Sequence, residues 1–320
     1  MEKRPLLILT GPTAAGKTAL SISLARRFDG EIISADSMQV YRGMDIGSAK
    51  IRPAEMQGVP HHLIDIREPE EGFSVADFVE CGREAAAEIH ARGHLPILVG
   101  GTGFYIQAFL KDLVFAEGEE DKAVRERLTK LAETEGPEAL HQRLKELDPA
   151  SAEAIHANNV KRVIRALEYY ELTGRRISET NTKQQESESP YNYLYFVLDL
   201  PREELYARIE KRVDQMMAEG LPEEVKHLKD RGLTQKDLSM QGLGYRQLFP
   251  YLEGSCSLEE AVSRIKQETR HFAKRQLTWF RREEKRSRIR WVYADRYSSH
   301  EEMVQDLYET ICGHYNLKTE

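Results

Sequence analysis

Apolar positions along the chain follow two rhythms. Short unbroken apolar runs read as strands buried on both faces of a sheet. Leu6-Leu7-Ile8-Leu9 is one such run, Glu31-Ile32-Ile33-Ser34 reads as a second strand and Leu95-Pro96-Ile97-Leu98-Val99 as another. Between them the spacing predicts helices over 16–28 and 74–92. Ser74 and Asp77 supply a capping box for the latter, and Gly93 ends it. Strand, helix, strand, helix is the pattern of a parallel α/β sheet. From 121 to 173 the strand-like runs stop and only helical periodicity remains, with Asp148-Pro149 placed as N-cap and first helical residue. The polar stretch 179–190 reads as a flexible return linker. A strand over 193–200, a helix from Pro201 to about 220, a long helix over 257–286 and a last strand over 289–293 complete the pattern. Ile265, Phe272 and Trp279 recur every seven residues and are expected to form a core stripe on that long helix.

Composition narrows the class. The chain has 320 residues, 40% hydrophobic and 31% charged, enough to bury a core and leave room for two domains. No stretch approaches the roughly 20 apolar residues of a membrane span. The start, Met1-Glu2-Lys3-Arg4-Pro5, lacks the long apolar run of a signal peptide. Cys81, Cys256 and Cys312 are far apart and odd in number, which suggests reduced thiols and not a disulfide frame or a zinc site. A cytoplasmic location is expected. The net charge of −7 argues mildly against nucleic acid, but the cations are clustered. Lys161, Arg162, Arg165, Arg175 and Arg176 form one group, and a second runs over 264–290, including Lys274, Arg275, Arg281 and Arg282. Acids concentrate elsewhere, at Glu68, Glu70 and Glu71 and at Glu117, Glu119, Glu120 and Asp121. Binding depends on where charges sit, so a basic face can contact RNA.

Gly11-Pro12-Thr13-Ala14-Ala15-Gly16-Lys17-Thr18 matches GxxxxGK[ST] between a predicted strand and a predicted helix. Its glycines let backbone N–H groups wrap around phosphate oxygens, and the helix start adds a positive dipole end. Lys17 supplies a mobile cation and Thr18 a hydroxyl for Mg²⁺. The predicted fold is therefore α/β: a P-loop parallel-sheet core over 1–115 and 191–320, ending in a basic C-terminal helix, with an all-helical insertion domain over 116–190. Most P-loop proteins are NTPases or kinases, whose central strand usually ends in an Asp for Mg²⁺. Here that strand ends in Gly100-Gly101, which weakens an ATPase reading. Asp36 follows the second strand and belongs at the same sheet edge as Lys17, as a proton acceptor or equally as an N-cap. Gly100-Gly101-Thr102-Gly103 ends the third strand there, either as a tight turn or to present the Thr102 hydroxyl. His61-His62 with Asp65 resembles a metal cluster, but neighbouring strand residues face opposite ways, so a structural role is favoured.

In order along the chain, these motifs resemble the bacterial tRNA dimethylallyltransferase (tRNA isopentenyltransferase) family. The resemblance rests on GPTAAGKT at 11–18, ISADSMQVYRGMDIGSAK at 33–50, PHHLIDI at 60–66 and LVGGTGFY at 98–105. It continues in RVIRALEYYELTG at 162–174, RVDQMMAEGL at 212–221, GLGYRQ at 242–247 and KRQLTWFRR at 274–282. It implies transfer of a dimethylallyl group from dimethylallyl diphosphate to N6 of the tRNA adenine 3′-adjacent to the anticodon. Gly11, Thr13, Ala14, Ala15, Gly16, Lys17 and Thr18 would hold the diphosphate. Asp36 would be the base, with Thr102 and Arg212 completing the catalytic set. Ser37, Met38, Gln39 and Thr102 would surround the adenine, and Lys161, Arg162, Val163, Ile164 and Arg165 would face the tRNA. Mg²⁺ is the implied cofactor, and a monomer free of membranes is expected. Two departures, Ala15 for a serine and Ser48 for a threonine, remove no charge. The rival readings are an ATP-binding P-loop kinase of small molecules and a non-catalytic RNA-binding protein.

Overall fold

The computed structural model describes residues 3–113 and 121–317. The domain boundary expected at 115/116 and the acids Glu117, Glu119 and Glu120 lie outside the described residues, as do Met1 and Glu2. The chain divides into two compact units, 1–110 with 190–320, and 111–189.

The larger unit is α/β. Its strands are β1 (Arg4–Thr10), β2 (Gly30–Ser34), β3 (His61–His62), β4 (Leu95–Gly100), β5 (Tyr191–Asp199) and β6 (Ile289–Tyr293). They form one six-stranded parallel sheet in the order β3-β2-β4-β1-β5-β6. Its helices up to the insertion are α1 (Lys17–Arg27), α2 (Val75–Ala91) and α3 (Gly103–Leu110). Leu6, Leu7, Ile8 and Leu9 of the central strand are all fully buried, as the unbroken apolar run requires. Each such side chain contributes about 1.5–3 kcal/mol relative to an exposed one. The capping box of α2 forms as expected, Ser74 accepting from the Asp77 N–H while Asp77 accepts from the Ser74 N–H.

Register positions the site. Thr10 pairs with Gly100 across β1 and β4, and Ser34 pairs with Val99 across β2 and β4. The Thr10 hydroxyl donates to the Gly100 carbonyl at 2.6 Å. The loops opening at Gly11, Ala35 and Gly101 therefore leave the same carboxyl edge side by side, where ligands of open α/β sheets sit.

At the other end of β2, the buried Glu31 carboxylate accepts from Arg92 (2.9 and 2.8 Å), His62 Nε2 (2.6 Å) and His94 Nδ1 (2.7 Å). The Arg92 guanidinium, opposed by burial and helped by the two histidines, holds its pKa down at about 2. His61 turns the other way, its Nδ1 against the Val59 carbonyl at 2.8 Å. The expected structural role of the histidine pair is what the fold shows.

The smaller unit contains α4 (Lys122–Glu135), α5 (Pro137–Leu147), α6 (Pro149–Ala154), α7 (Val160–Thr173) and α8 (Ile177–Glu186). Its core gathers Leu128, Leu140, Leu144, Val163, Ile164 and Leu167. The last helix corrects the expected linker over 179–190. Asp148, the N-cap of α6, also accepts from the Ser178 N–H (3.1 Å) and hydroxyl (2.6 Å), and Tyr169 and Thr180 share a hydrogen bond at 2.9 Å. These anchors fold a segment whose polar composition carries no apolar stripe.

The chain returns to the larger unit through β5. There follow α9 (Arg202–Ala218), α10 (Leu221–Asp230), α11 (Tyr245–Leu252), α12 (Leu258–Glu283) and α13 (His300–Tyr315). Ser257 and Glu260 cap α12 reciprocally. The expected stripe on α12 holds only at Ile265. Ala261, Ile265, Ala273, Gln276, Phe280 and Glu283 are the buried residues, whereas Phe272 lines a cleft and Trp279 packs against Gly103 and Phe104. A 26-residue helix at 3.6 residues per turn drifts away from a strict seven-residue repeat.

Candidate active site

A cavity of about 1010 Å³ opens at the carboxyl edge of the sheet. Thr13, Ala14, Gly16, Lys17 and Thr18 form one wall, and Asp36 and Gln39 face it. Arg208 and Arg212, one turn apart on α9, and the exposed Lys211 add positive charge.

The P-loop has the backbone its glycines permit. Gly11 has φ +144°, and a side chain there would place its Cβ 2.6 Å from the Leu198 carbonyl oxygen, so the loop can hug β5 only with glycine. Gly16, in left-handed conformation, caps α1. Ala15 turns its methyl into the core and its N–H to the Pro12 carbonyl at 3.3 Å. The Lys17 ammonium donates to the carbonyls of Gly11 (3.0 Å) and Pro12 (2.8 Å). Desolvation first, then the neighbouring Arg212 charge, bring its pKa down to about 8 against the opposing pull of Asp36. Arg212 donates to the Thr13 hydroxyl at 3.3 Å; burial lowers its pKa while Asp36 pulls it up. Asp36, Lys17 and Arg212 thus sense one another electrostatically.

Asp36 Oδ1 accepts from the Met38 N–H at 2.9 Å, a local turn that fixes the carboxylate at the cavity. No helix starts at Asp36, so the N-cap reading is corrected to a local turn, and the carboxylate lies among the residues lining the cavity. Thr102 Oγ1 accepts from the Ser37 N–H at 3.3 Å and the Thr102 N–H donates to the Ala35 carbonyl at 3.2 Å, tying the GGTG loop to the DSMQ loop. Gln39 is held at both ends of its amide, by the Ser34 hydroxyl (3.0 Å) and by the carbonyls of Ser48 (3.4 Å) and Ala49 (3.5 Å).

Sequence reasoning gave no role to Gln276. Its carbonyl oxygen accepts from the Thr13 N–H at 2.9 Å, and its amide N–H donates to the Gly101 carbonyl at 2.9 Å. One buried side chain on α12 thus joins the P-loop to the glycine loop. Its segment stood among the motifs, but no local signal set this residue apart.

In the helical unit, α7 separates the expected tRNA-facing residues. Lys161 and Arg162 are exposed, and Arg165 lies 3.6 Å from the buried Glu168 carboxylate. Val163 and Ile164 are 0% and 6% exposed. Their side chains fill that unit's core, which corrects their expected place on a tRNA surface; consecutive helical residues point about 100° apart. Among the described residues, no three His, Cys, Asp or Glu converge as a metal site, and no helix is long and apolar enough to cross a membrane.

The IPP transferase family pattern matches residues 39–283. The tRNA dimethylallyltransferase of Lachnoclostridium phytofermentans is 55% identical over 96% of this chain and 97% of its own length. That of Geobacillus thermodenitrificans is 48% identical over 98% of both. The full-length tRNA isopentenylpyrophosphate transferase structure from Bacillus halodurans aligns with a TM-score of 0.73 at 44% identity, covering 98% of this chain and 97% of that one. A eukaryotic dimethylallyltransferase solved acting on tRNA aligns with a TM-score of 0.85 at 29% identity, over 99% and 81%. A prenyl-transferring P-loop enzyme is the class that this fold and these relatives define. The chain belongs to the IPP transferase family.

Proposed function

We infer that the protein transfers a dimethylallyl group from dimethylallyl diphosphate to N6 of the adenine 3′-adjacent to the anticodon of tRNA, releasing diphosphate. The observation that carries this is the convergence of Lys17, Arg212 and Asp36 on one cavity, two cations electrostatically coupled to one carboxylate.

The reaction breaks the allylic C–O bond, whose electron pair leaves with the diphosphate. Negative charge grows there while positive charge develops on the allyl carbon. Lys17, Arg212 and the P-loop stabilise the departing anion in a partly desolvated site, where such interactions are strongest. The adenine N6 lone pair, delocalised into the ring, is a poor nucleophile. It forms the new C–N bond as Asp36 takes one N6 proton. Gln39, Ser37, Met38 and Thr102 surround the base, which has left its stack; unstacked loop bases are the least costly to extrude. Lys161, Arg162 and Arg165 contact the tRNA backbone.

Thr18 lines the cavity beside Lys17. One hydroxyl with diphosphate oxygens and water is the hard-oxygen set that suits Mg²⁺, which binds through phosphates more than through all-protein cages. Mg²⁺ bound there would neutralise part of the leaving group's charge. The chain acts as a monomer in the cytoplasm on this reading.

The names of the relatives favour the transferase over the small-molecule kinase. Incubating the protein with radiolabelled dimethylallyl diphosphate, unmodified tRNA and Mg²⁺, without ATP, tests it. Label in the anticodon-loop adenine is expected. ATP hydrolysis or small-molecule phosphorylation with no labelled tRNA would overturn it.

A further inference from the structure

A second carboxylate works at the back of the acceptor wall. Three successive N–H groups, of Asp45, Ile46 and Gly47, all donate to Glu224, at 2.9, 2.8 and 3.0 Å. The Tyr245 hydroxyl donates to the same carboxylate at 2.7 Å. Four donors match the roughly four lone-pair sites of an ionised carboxylate. Successive N–H groups of this kind form an anion-binding concavity. Here the anion comes from the chain itself, off the first turn of α10.

The surroundings are built to fit. Tyr245 is fully buried, and a Cβ on Gly47 would lie 2.5 Å from its ring. Burial and the Glu224 charge push the Tyr245 hydroxyl pKa well up, so it stays a donor. In the same segment, a Cβ on Gly242 would lie 2.7 Å from the Met38 methyl, so the chain around Tyr245 backs both Gly47 and Met38.

The clamped turn has a second end. It closes through the Ala49 N–H to the Ile46 carbonyl (3.0 Å) and the Lys50 N–H to the Asp45 carbonyl (2.9 Å). The carbonyls of Ser48 and Ala49 at that end receive the Gln39 amide, whose oxygen takes the Ser34 hydroxyl. Gln39, Ser48 and Ala49 all line the cavity. A carboxylate on α10 therefore fixes, through one turn, which way the Gln39 amide is oriented at the cavity.

We propose that Glu224 is a positioning residue for acceptor recognition, acting through the 45–49 turn on Gln39. The assignment rests on the reading that Gln39 faces the acceptor adenine. It separates the two substrates: Glu224 supports the base-recognising wall through the 45–47 N–H groups and Tyr245.

The test is steady-state transfer of dimethylallyl to tRNA by the full chain, with each substrate varied in turn. Glu224→Gln keeps the shape but turns an amide N–H₂ toward backbone donors. A hydrogen bond to a charged group is worth enough that its loss shifts KM for tRNA, or kcat at saturating tRNA, by about tenfold or more. KM for dimethylallyl diphosphate is expected to stay within about twofold, as for sites that share no partner. In a double-mutant cycle with Gln39→Ala, the Glu224→Gln loss is expected largely to vanish, because the two act in series. A merely structural glutamate would give additive losses and equal changes for both substrates, and either result overturns the assignment. If Glu224→Gln melts before assay, Tyr245→Phe removes one of the four donors, keeps the ring under Gly47 and enters the same cycle. Label transfer by the parent protein is the control: without it the functional reading itself fails, and Glu224 with it.

Discussion

The two walls of the cavity are made in opposite ways. The cradle wall is one continuous stretch, residues 11–18, whose conformation follows from its glycines and the helix it opens. The wall proposed to receive the acceptor is assembled from far-apart pieces: the 36–39 turn, Thr102, the 45–49 turn, and Glu224 and Tyr245 behind it. Lys17 and Arg212 on the cradle side are both electrostatically coupled to Asp36. A local cradle suits a ligand group whose recognition is only charge and oxygen. A purine amine needs a directional surface, and direction comes from side chains held by partners elsewhere in the fold.

The sharpest way to break this comparison is to strip each wall of its central group. Asp36→Ala should lower kcat by about 10²–10⁴-fold, the usual weight of a positioned general base, while tRNA still binds in a filter or gel-shift assay. Near-normal turnover in that variant would remove Asp36 from its role. Lys17→Ala should cost about 10²–10³-fold in kcat/KM for dimethylallyl diphosphate, comparable to losing one preorganised anion donor, with KM for tRNA little changed. If both variants affected both substrates alike, the division into two walls would not stand.

What could be read from the sequence follows the same line. Strands β1, β2 and β4 announce themselves as buried apolar runs, and the P-loop as a spaced motif, because each is local. Thr13 meets Gln276 across 263 residues and Glu224 meets Gly47 across 177, separations no periodicity encodes. The family resemblance pointed to the segments holding Tyr245 and Gln276 but gave neither a task. The errors are physical too. Val163 and Ile164 sit in a basic motif, yet helical geometry turns them into the core of their unit. The 179–190 stretch looked like a linker because nothing apolar marks it, while Asp148, 30 residues earlier, holds the start of α8.

A milder probe acts on the cradle alone. Burial first, and then the Arg212 charge, bring the Lys17 pKa down to about 8. Its cationic form is therefore present below that value and lost above it. In the free enzyme, kcat/KM for dimethylallyl diphosphate should fall about tenfold per unit above about pH 8, since kcat/KM reports free-enzyme ionisations. Lys17→Arg, always protonated, should lose that alkaline limb while keeping part of the activity. A profile that is the same in both proteins would assign the limb to another group. Kinetics with saturating dimethylallyl diphosphate should move the limb upward, because the negative charge of the bound diphosphate favours the ammonium.

The smallest expected effect lies at the seam between the walls. An added Cβ at Gly101 would stand 2.3 Å from the Gln276 amide nitrogen. That nitrogen ends a flexible side chain, so Gly101→Ala should displace the amide and leave the fold intact. Displacement breaks the hydrogen bond to the Gly101 carbonyl and loosens the one from the Thr13 N–H. A net worth of about 0.5–1.5 kcal/mol per neutral hydrogen bond predicts a loss of about two- to tenfold. Because Gln276 touches both loops, the loss should appear in KM for both substrates, unlike that of Asp36→Ala or Lys17→Ala. Gln276→Leu, which keeps bulk and removes both bonds, should match it in direction. An effect confined to dimethylallyl diphosphate would mean that Gln276 serves the cradle alone, and that the acceptor wall holds its shape without that tie.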